Sequence, residues 1–554
     1  MHARTILAAA LLAAAVVAVA PATATAEPAV STPWTPALLA PRAAAPQFDV
    51  QTVIDGAAAG DQAGVSVAVV DGQYAFVGVP GADVYIPGED ITIDGAGAVY
   101  VYQCSGGTWT LLQTITDTET VEGVMNVPWE NESFGAALAV MTGDEGLDQW
   151  LAIGAPGFCG MEAGVPSGAV DIWWLPPEVG VTAFQFQQTL WSSLTDSELG
   201  AWVALAGASD AVWLLAGQPG NGEVLVYSSG IDVPEFGGST SFWGPADFGA
   251  AVAVDADGTD GTAVVGAPGV DNGGVTGAGS ATFFALSGGS WETTGQTVYG
   301  PAAGAALGSS VAVDGAAAVV GMPGYSDAVG ENAGGAVTYA QAATGTWSVG
   351  ETLLMSASSG GMQFGASVAF DGTTGVVGAP ASPDGPSPGA GSAVVYEVSG
   401  ADWTQAQVLA DDATGDAFGA AVAVAGSTAV LGAPLAAPGG LAQAGAATVY
   451  SSDTDAPAVT ALSDQCTRTN HTVGLPFRVD DRGARARVVI FITENGILKQ
   501  RLVAPSVPTN ETAINRFPCR LAPGVYCWTV YAQDAGGNHQ RRPSSRILLV
   551  LPER

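Results

Sequence analysis

An all-β fold is predicted for this chain, a seven-bladed β-propeller followed by a small β-sandwich, and three observations predict it. A unit that begins with a glycine dipeptide recurs seven times, its glycines falling at 64, 135, 200, 249, 308, 365 and 419. Within each unit the apolar residues alternate or run in fours and fives between Gly, Asp and Pro, which is the periodicity of strands and not of helices. The repeat stops near residue 455, where Lys and Arg return after a stretch of more than four hundred residues, 43–455, that holds neither.

The first element in chain order is a leader. His2 and Arg4 precede an apolar run from Ile6 to Ala20 and the small-x-small triplet Ala24-Thr25-Ala26, so residues 1–26 read as a cleaved signal peptide and 27–46 as a linker. Pro21 cuts the run short of the ~20 apolar residues that a membrane span needs, and no later stretch is long and apolar enough. The mature chain is therefore expected to be secreted or held at the cell surface, with no transmembrane segment.

The repeats come next, and residues 47–455 are expected to form one domain. Each unit reads Phe/Leu-Gly-x-x-Val-Ala-Val, a short turn, Ala-Val-Val-Gly-Ala-Pro, a variable Gly/Asp-rich loop, then a third strand ending in Val-Tyr and often Gly-Thr-Trp before an amphipathic fourth. Phe248-Gly249 leads to Gly266-Ala267-Pro268, Phe364-Gly365 to Gly378-Ala379-Pro380 and Phe418-Gly419 to Gly432-Ala433-Pro434; Ala63-Gly64 and Leu199-Gly200 open degenerate copies. Four short strands per unit make one sheet, which must bury both faces against neighbours, and radial stacking achieves this while protecting the edges. The seventh unit lacks its fourth strand, and Phe48 to Ile54 reads like the missing one, so the start of the domain is expected to complete the last sheet and close the ring.

These motifs resemble the FG-GAP repeats of integrin α-chain propellers and, more closely, the bacterial variety that carries the same Gly-Thr-Trp strand. The resemblance implies an adhesion or binding disc, and it implies a place to look for calcium, since integrin repeats set alternating oxygen ligands in the hairpin between their first two strands. The nearest match here is Asp255-Ala256-Asp257-Gly258-Thr259-Asp260-Gly261, which makes Asp255, Asp257 and Asp260 the candidate Ca2+ ligands. Thr259 stands where a third ligand belongs and the closing Asp is missing, so plain turn chemistry competes with this reading. The other hairpins are shorter (Asp71-Gly72, Asp314-Gly315, Asp371-Gly372, Ala425-Gly426) or fit worse (Gly143 to Asp148).

Residues 456–554 form the last element, an expected β-sandwich. Strands are read at Thr472 to Val479, Arg487 to Thr493, Gly496 to Val503 and Val525 to Ala532, and the run from Leu521 to Asn538 resembles the last strands of bacterial Ig-like modules. Tyr526, Trp528 and Val530 alternate inward as core. Cys466, Cys519 and Cys527 allow at most one bridge, and spacing leaves the pairing open. Cys104 and Cys159 are expected at opposite ends of the disc as buried free thiols.

Charge then decides which chemistries survive. The chain carries 15 Lys and Arg against 52 Asp and Glu, a net charge of −37, yet the tail beyond residue 455 holds 13 of the cations and seven of the acids. A disc without one Lys or Arg cannot grip a phosphate backbone, which excludes nucleic acid as its partner. The three histidines are His2, His471 and His539, so the repeats contain no His, Lys or Arg and cannot build a Ser-His-Asp triad, a His-ligated zinc site or a P-loop. Paired carboxylates for glycoside hydrolysis remain available.

Ligands are expected on the long loops after Gly-Ala-Pro and before Phe-Gly, which share one end of the disc, and Trp129, Phe158, Phe236 and Trp243 are the candidate anchors there. The reading is a monomeric, non-catalytic binding or adhesion protein whose partner is an extracellular protein or glycan. An extracellular glycan-processing hydrolase and a structural envelope protein are the alternatives.

Overall fold

Runs of Val and Ala cut by Gly, Asp and Pro fold as antiparallel strands, because β-branched and small side chains suit a pleated surface buried on both faces. The computed structural model describes residues 48–553 apart from 71–72, 87–88, 106–107, 119, 122–123, 126–127, 143–148, 160–165, 177–182, 209–210, 231–234, 327–331, 356–359, 384–388, 412, 453–457, 481–484, 496, 509–511, 535–539 and 541. The leader and linker expected at 1–46, the Asp71-Gly72 turn and the hairpin tip at 143–148 lie outside the described residues. Among those described there is no α-helix, and no helix long and apolar enough to cross a membrane.

Sheet 1 holds Val67–Val70, Tyr74–Val79, Ala98–Ser105 and Thr108–Ile115; sheet 2 holds Ala137–Thr142, Gln149–Ala155, Ala169–Leu175 and Gln185–Trp191. Sheet 3 follows with Val203–Ala208, Ala211–Gln218, Glu223–Ser229 and Gly237–Trp243. Sheet 4 has Ala251–Asp257, Asp260–Ala267 and Ser280–Ser287, its fourth position split between Ser290–Trp291 and Gln296–Tyr299. Sheet 5 comprises Ser310–Asp314, Ala317–Gly321, Ala336–Gln341 and Trp347–Leu353, and sheet 6 Ser367–Phe370, Thr374–Ala379, Ser392–Ser399 and Asp402–Ala410. Sheet 7 holds Ala421–Ala425, Thr428–Ala433 and Ala446–Ser452, and its fourth strand is Phe48–Asp55, paired antiparallel with Phe48 opposite Ser452 and Asp55 opposite Ala446. The first strands of successive sheets lie against one another all the way round, that of sheet 7 returning to that of sheet 1. The sheets are thus the blades of a closed propeller, clasped by the strand that the sequence reading placed there.

The repeated glycines are explained by how neighbouring sheets meet. The Phe-Gly glycine donates its N–H to the Gly-Ala-Pro glycine of its own sheet (Gly64 to Gly78, Gly249 to Gly266, Gly419 to Gly432), while its carbonyl abuts the Gly-Ala-Pro glycine of the sheet before. At the closure, a Cβ on Gly432 would run into the Gly64 carbonyl, and Gly64 itself sits at φ 87° in the left-handed region. Three serines add a side-chain bond across the same contact, Ser66, Ser310 and Ser367 Oγ donating to the carbonyls of Gly135, Gly365 and Gly419.

Farther out, glutamine side chains clamp one sheet to the next. Gln113 Nε2 donates to Phe184 O at 3.1 Å and its Oε1 accepts from Phe184 N–H at 2.8 Å. The same two-bond clamp joins Gln188 to Phe236, Gln296 to Trp347 and Gln407 to Phe48. The clamped residue is aromatic each time, and its ring fills the space between sheets, as where Phe283 stacks on Trp347 with centroids 4.6 Å apart.

From Ala458 to Leu551 the chain forms two more sheets, one of Ala458–Ala461, Thr472–Asp480 and Thr512–Pro518, the other of Gln465–Arg468, Ser544–Leu551, Gly524–Asp534, Arg485–Glu494 and Ile497–Pro508. They close on one core that includes Leu475, Phe477, Ile490, Trp528 and Val530. The four strands read from the sequence are present, and four more join them at 458–461, 465–468, 512–518 and 544–551. All five cysteines are free thiols: Cys519 is buried in the core, Cys466 and Cys527 are exposed, and Cys104 and Cys159 are half-buried where full burial was expected.

Candidate functional site

The disc has two unlike ends. Loops after Gly-Ala-Pro and before Phe-Gly lie side by side at one of them, since Gly81 N–H donates to Asp61 O, Gly157 to Glu132 O, Gly324 to Ala305 O, Ala381 to Met362 O and Leu435 to Asp416 O. This loop face is the one expected to hold ligands. The other end carries the hairpins between first and second strands.

The four candidate aromatics separate between these ends. Trp129 lies on the loop face, half-buried, its backbone N–H held by Glu132 Oε2 at 2.9 Å. Phe158 follows Gly157, whose N–H donates to Glu132 O, and is also half-buried and packed against the core between sheets 1 and 2. Trp243 ends the fourth strand of sheet 3 on the loop face and is 64% exposed. Phe236 corrects the reading: it precedes that strand and so stands at its far, hairpin end, 3% exposed, edge-on to Trp150 at 5.8 Å. It is the aromatic clamped by Gln188, equivalent to Phe184, Trp347 and Phe48, and its ring serves the joint between sheets. The sequence hid this because the fourth strand of sheet 3 (Gly237–Trp243) lacks the apolar alternation of a strand and passed for loop.

Two carboxyl groups are buried beneath Trp129. Glu132 is 1% exposed and hydrogen-bonded to buried Asp117, with Asp171 near enough to act on its charge. Burial first, then Asp117, pushes Glu132 far above the usual carboxylate range, so it is protonated at neutral pH. Neither Glu132 nor Asp117 is open to a substrate, which removes this pair as the carboxylates of a glycosidase.

The hairpin end accounts for the calcium candidates. Asp255 Oδ2 accepts the N–H of Gly315 in the hairpin of sheet 5 at 2.6 Å, and Asp371 Oδ2 does the same for Gly426 of sheet 7 at 2.8 Å. Between them Asp314 lies against Gly372, its carboxyl raised by burial and then by Asp255 and Asp371. Asp255, Asp314 and Asp371 thus each cap or touch the next turn in the ring. Asp260 faces the Gly288 amide at 3.4 Å, and Asp257 pairs across the hairpin with Asp260. Asp255, Asp257 and Asp260 are therefore not brought together as a cage. Among the described residues no three His, Cys, Asp or Glu side chains are arranged to hold a metal ion, so this donor set does not fit the calcium that the resemblance implies.

Residues 347–396 and 403–450 match the FG-GAP repeat. Each matched stretch begins on the fourth strand of one sheet and ends on the third strand of the next, the offset that obliges a ring of such repeats to borrow its closing strand from the other end. No curated protein matches the chain. Among solved structures it is similar to the extracellular domain of a hybrid two-component system of B. thetaiotaomicron (10% identity, 88% of this chain and 75% of that one, TM-score 0.30). It is also similar to Porphyromonas gingivalis dipeptidyl peptidase 4 (7%, 73% and 59%, TM-score 0.28) and to the CARDB domain of a Pyrococcus furiosus protein, solved with di-metal ions (14%, 18% and 94%, TM-score 0.14). Likenesses this distant leave the activity of the chain to its own residues.

Proposed function

Starting from the FG-GAP repeats at 347–396 and 403–450, we propose that this chain is an extracellular binding protein without catalytic activity, taking a protein or glycan ligand on the loop face of its disc. The observation that carries the reading is the pairing of that face with what the ring lacks. A rigid scaffold presents loops and an exposed Trp243 at one end, and nowhere between residues 43 and 455 is there a His, Lys or Arg to activate a nucleophile or steady an oxyanion. The apolar leader at 6–20 supports export, and a strongly acidic disc supports a role in an ion-rich medium.

The test is binding of the purified chain to arrayed extracellular glycans and matrix proteins, repeated with Trp243→Ala. A ligand that loses on the order of tenfold in affinity in the variant supports the reading, since exposed aromatics at such faces are frequent hot spots. Turnover of a bound glycan into shorter products would sink the non-catalytic part of it.

A further inference from the structure

Between sheets 6 and 7, at the loop face, lies a cavity of about 620 Å3 whose walls include Val50, Val53, Asp55, Asp411, Asp416 and Tyr450. It exists only because the ring is closed, one side coming from the strand Phe48–Asp55 and the other from residues 410–450.

Its polar groups differ from their counterparts elsewhere in the ring. Asp61, Glu132 and Asp416 each stand three residues before a Phe-Gly-type glycine. Asp61 Oδ2 accepts the amides of Ala57 and Ala58 at 2.9 and 2.7 Å, and Glu132 accepts that of Trp129. The Asp416 carboxylate accepts no hydrogen bond from the described residues, and instead lines the cavity, its carboxyl raised by burial and by Asp411. Tyr450 is 6% exposed, its ring edge-on to Phe418, and its hydroxyl has no hydrogen-bond partner among the described residues although it lies in the field of Asp411. The Tyr450 hydroxyl and the uncapped Asp416 carboxylate both line the cavity, so each is open to a donor that enters it.

The chemistry of the missing group follows from the walls. Asp55, Asp411 and Asp416 put three negative charges around a space with no cation of its own. They are not gathered tightly enough to hold a metal ion, so the cation must bring its own hydrogens and reach more than one acceptor. Val50, Val53 and Ala436 give the cavity an apolar side, suited to a methylene stem. We propose that this cavity binds an alkylammonium or guanidinium group on an aliphatic stem, with Asp416 and Tyr450 Oη as hydrogen-bond acceptors and Asp55 and Asp411 supplying the field. The group can be a Lys or Arg side chain of a protein partner or a free polyamine, and the site depends on neither Trp129 nor Trp243.

The experiment is calorimetry on the full chain with three probes: N-acetyl-lysine methylamide, putrescine, and N-acetyl-norleucine methylamide as the uncharged stem. Both amines are expected to bind, and the norleucine compound on the order of tenfold more weakly or not at all. Asp416→Asn should weaken the amines about tenfold and Tyr450→Phe about threefold, while Trp243→Ala leaves them unchanged. Preference for the lysine derivative identifies a protein partner, and preference for putrescine a free polyamine; both support the site. No amine binding, equal binding of norleucine, or indifference to Asp416→Asn in a variant whose melting temperature is unchanged would overturn it. Because Trp243→Ala is the variant that probes the loop-face ligand, failure of one site leaves the other standing.

Discussion

In the seven-sheet ring the surfaces that meet are narrow and repeated, whereas in the tail one broad core joins two sheets. Ring neighbours touch glycine to glycine near the first strands, then serine to carbonyl, then glutamine to backbone, with aromatic rings filling what is left. The tail relies instead on Trp528, Phe477 and Leu475, buried among aliphatic strands. Charge divides the same way. The ring's acids have no Lys or Arg between residues 43 and 455 to pair with, and several are held by backbone amides or, at Glu132, protonated, while the tail carries ion pairs such as Lys499–Glu494 at 3.1 Å and Arg478–Asp480. The ring is therefore intolerant of added volume at its joints, and the tail of lost volume in its core.

That contrast can be broken by a pair of opposite substitutions. Trp528→Ala empties the tail core and should cost ~3–5 kcal/mol, while Gly432→Ala drives a methyl group into the Gly64 carbonyl and should cost ~1–3 kcal/mol. Differential scanning calorimetry resolves which transition moves. Trp528→Ala should lower only the tail's and Gly432→Ala only the ring's. A Gly432→Ala variant that melts like the parent would show that the sheets meet less closely than described.

A smaller effect sharpens the comparison within the ring. Gln407 holds Phe48 by two hydrogen bonds at 2.7 and 3.0 Å, and Phe48 begins the one strand that closes the circle. Gln407→Ala should cost ~1–2 kcal/mol and expose residues 48–55 to faster amide exchange. Gln296→Ala removes the same two bonds between sheets 4 and 5 and should leave 48–55 protected. Equal exchange of the closing strand in both variants would mean that the clamps act through the ring as a whole.

The repeated Phe-Gly and Gly-Ala-Pro pairs made the propeller legible, because a backbone contact that only glycine permits must recur at each joint. Ring closure was legible for a related reason, since a unit short of one strand implies a donor. The glutamine clamps were not, as Gln113, Gln188, Gln296 and Gln407 sit in amphipathic outer strands where a polar residue reads as solvent-facing. The hairpin aspartates read as local chemistry, although Asp255 and Asp371 reach the next sheet. The cavity was invisible for the plainest reason: Val53 and Asp416 are far apart in the chain, and no local pattern records that they face one another.

Glu132 offers the finest distinction between ring and tail, because it shows how a region without cations tolerates a buried acid. Asp117 is hydrogen-bonded to it, Asp171 adds negative charge, and the Trp129 amide pulls weakly the other way. Its folded pKa stands well above the ordinary 4.5, so the folded ring binds a proton that the unfolded chain releases. The contribution is complete below about pH 4.5 and is lost as pH rises toward the folded value. Glu132→Gln keeps the shape and removes the titration, so between pH 5 and 8 the ring's melting temperature should fall less in the variant than in the parent, by ~1–2 kcal/mol of stability. The tail's transition should show no such difference between the two proteins. Parallel pH dependence of the ring in both would mean that Glu132 is ionised in the folded state, and that the ring tolerates a buried charge that nothing between residues 43 and 455 could neutralise.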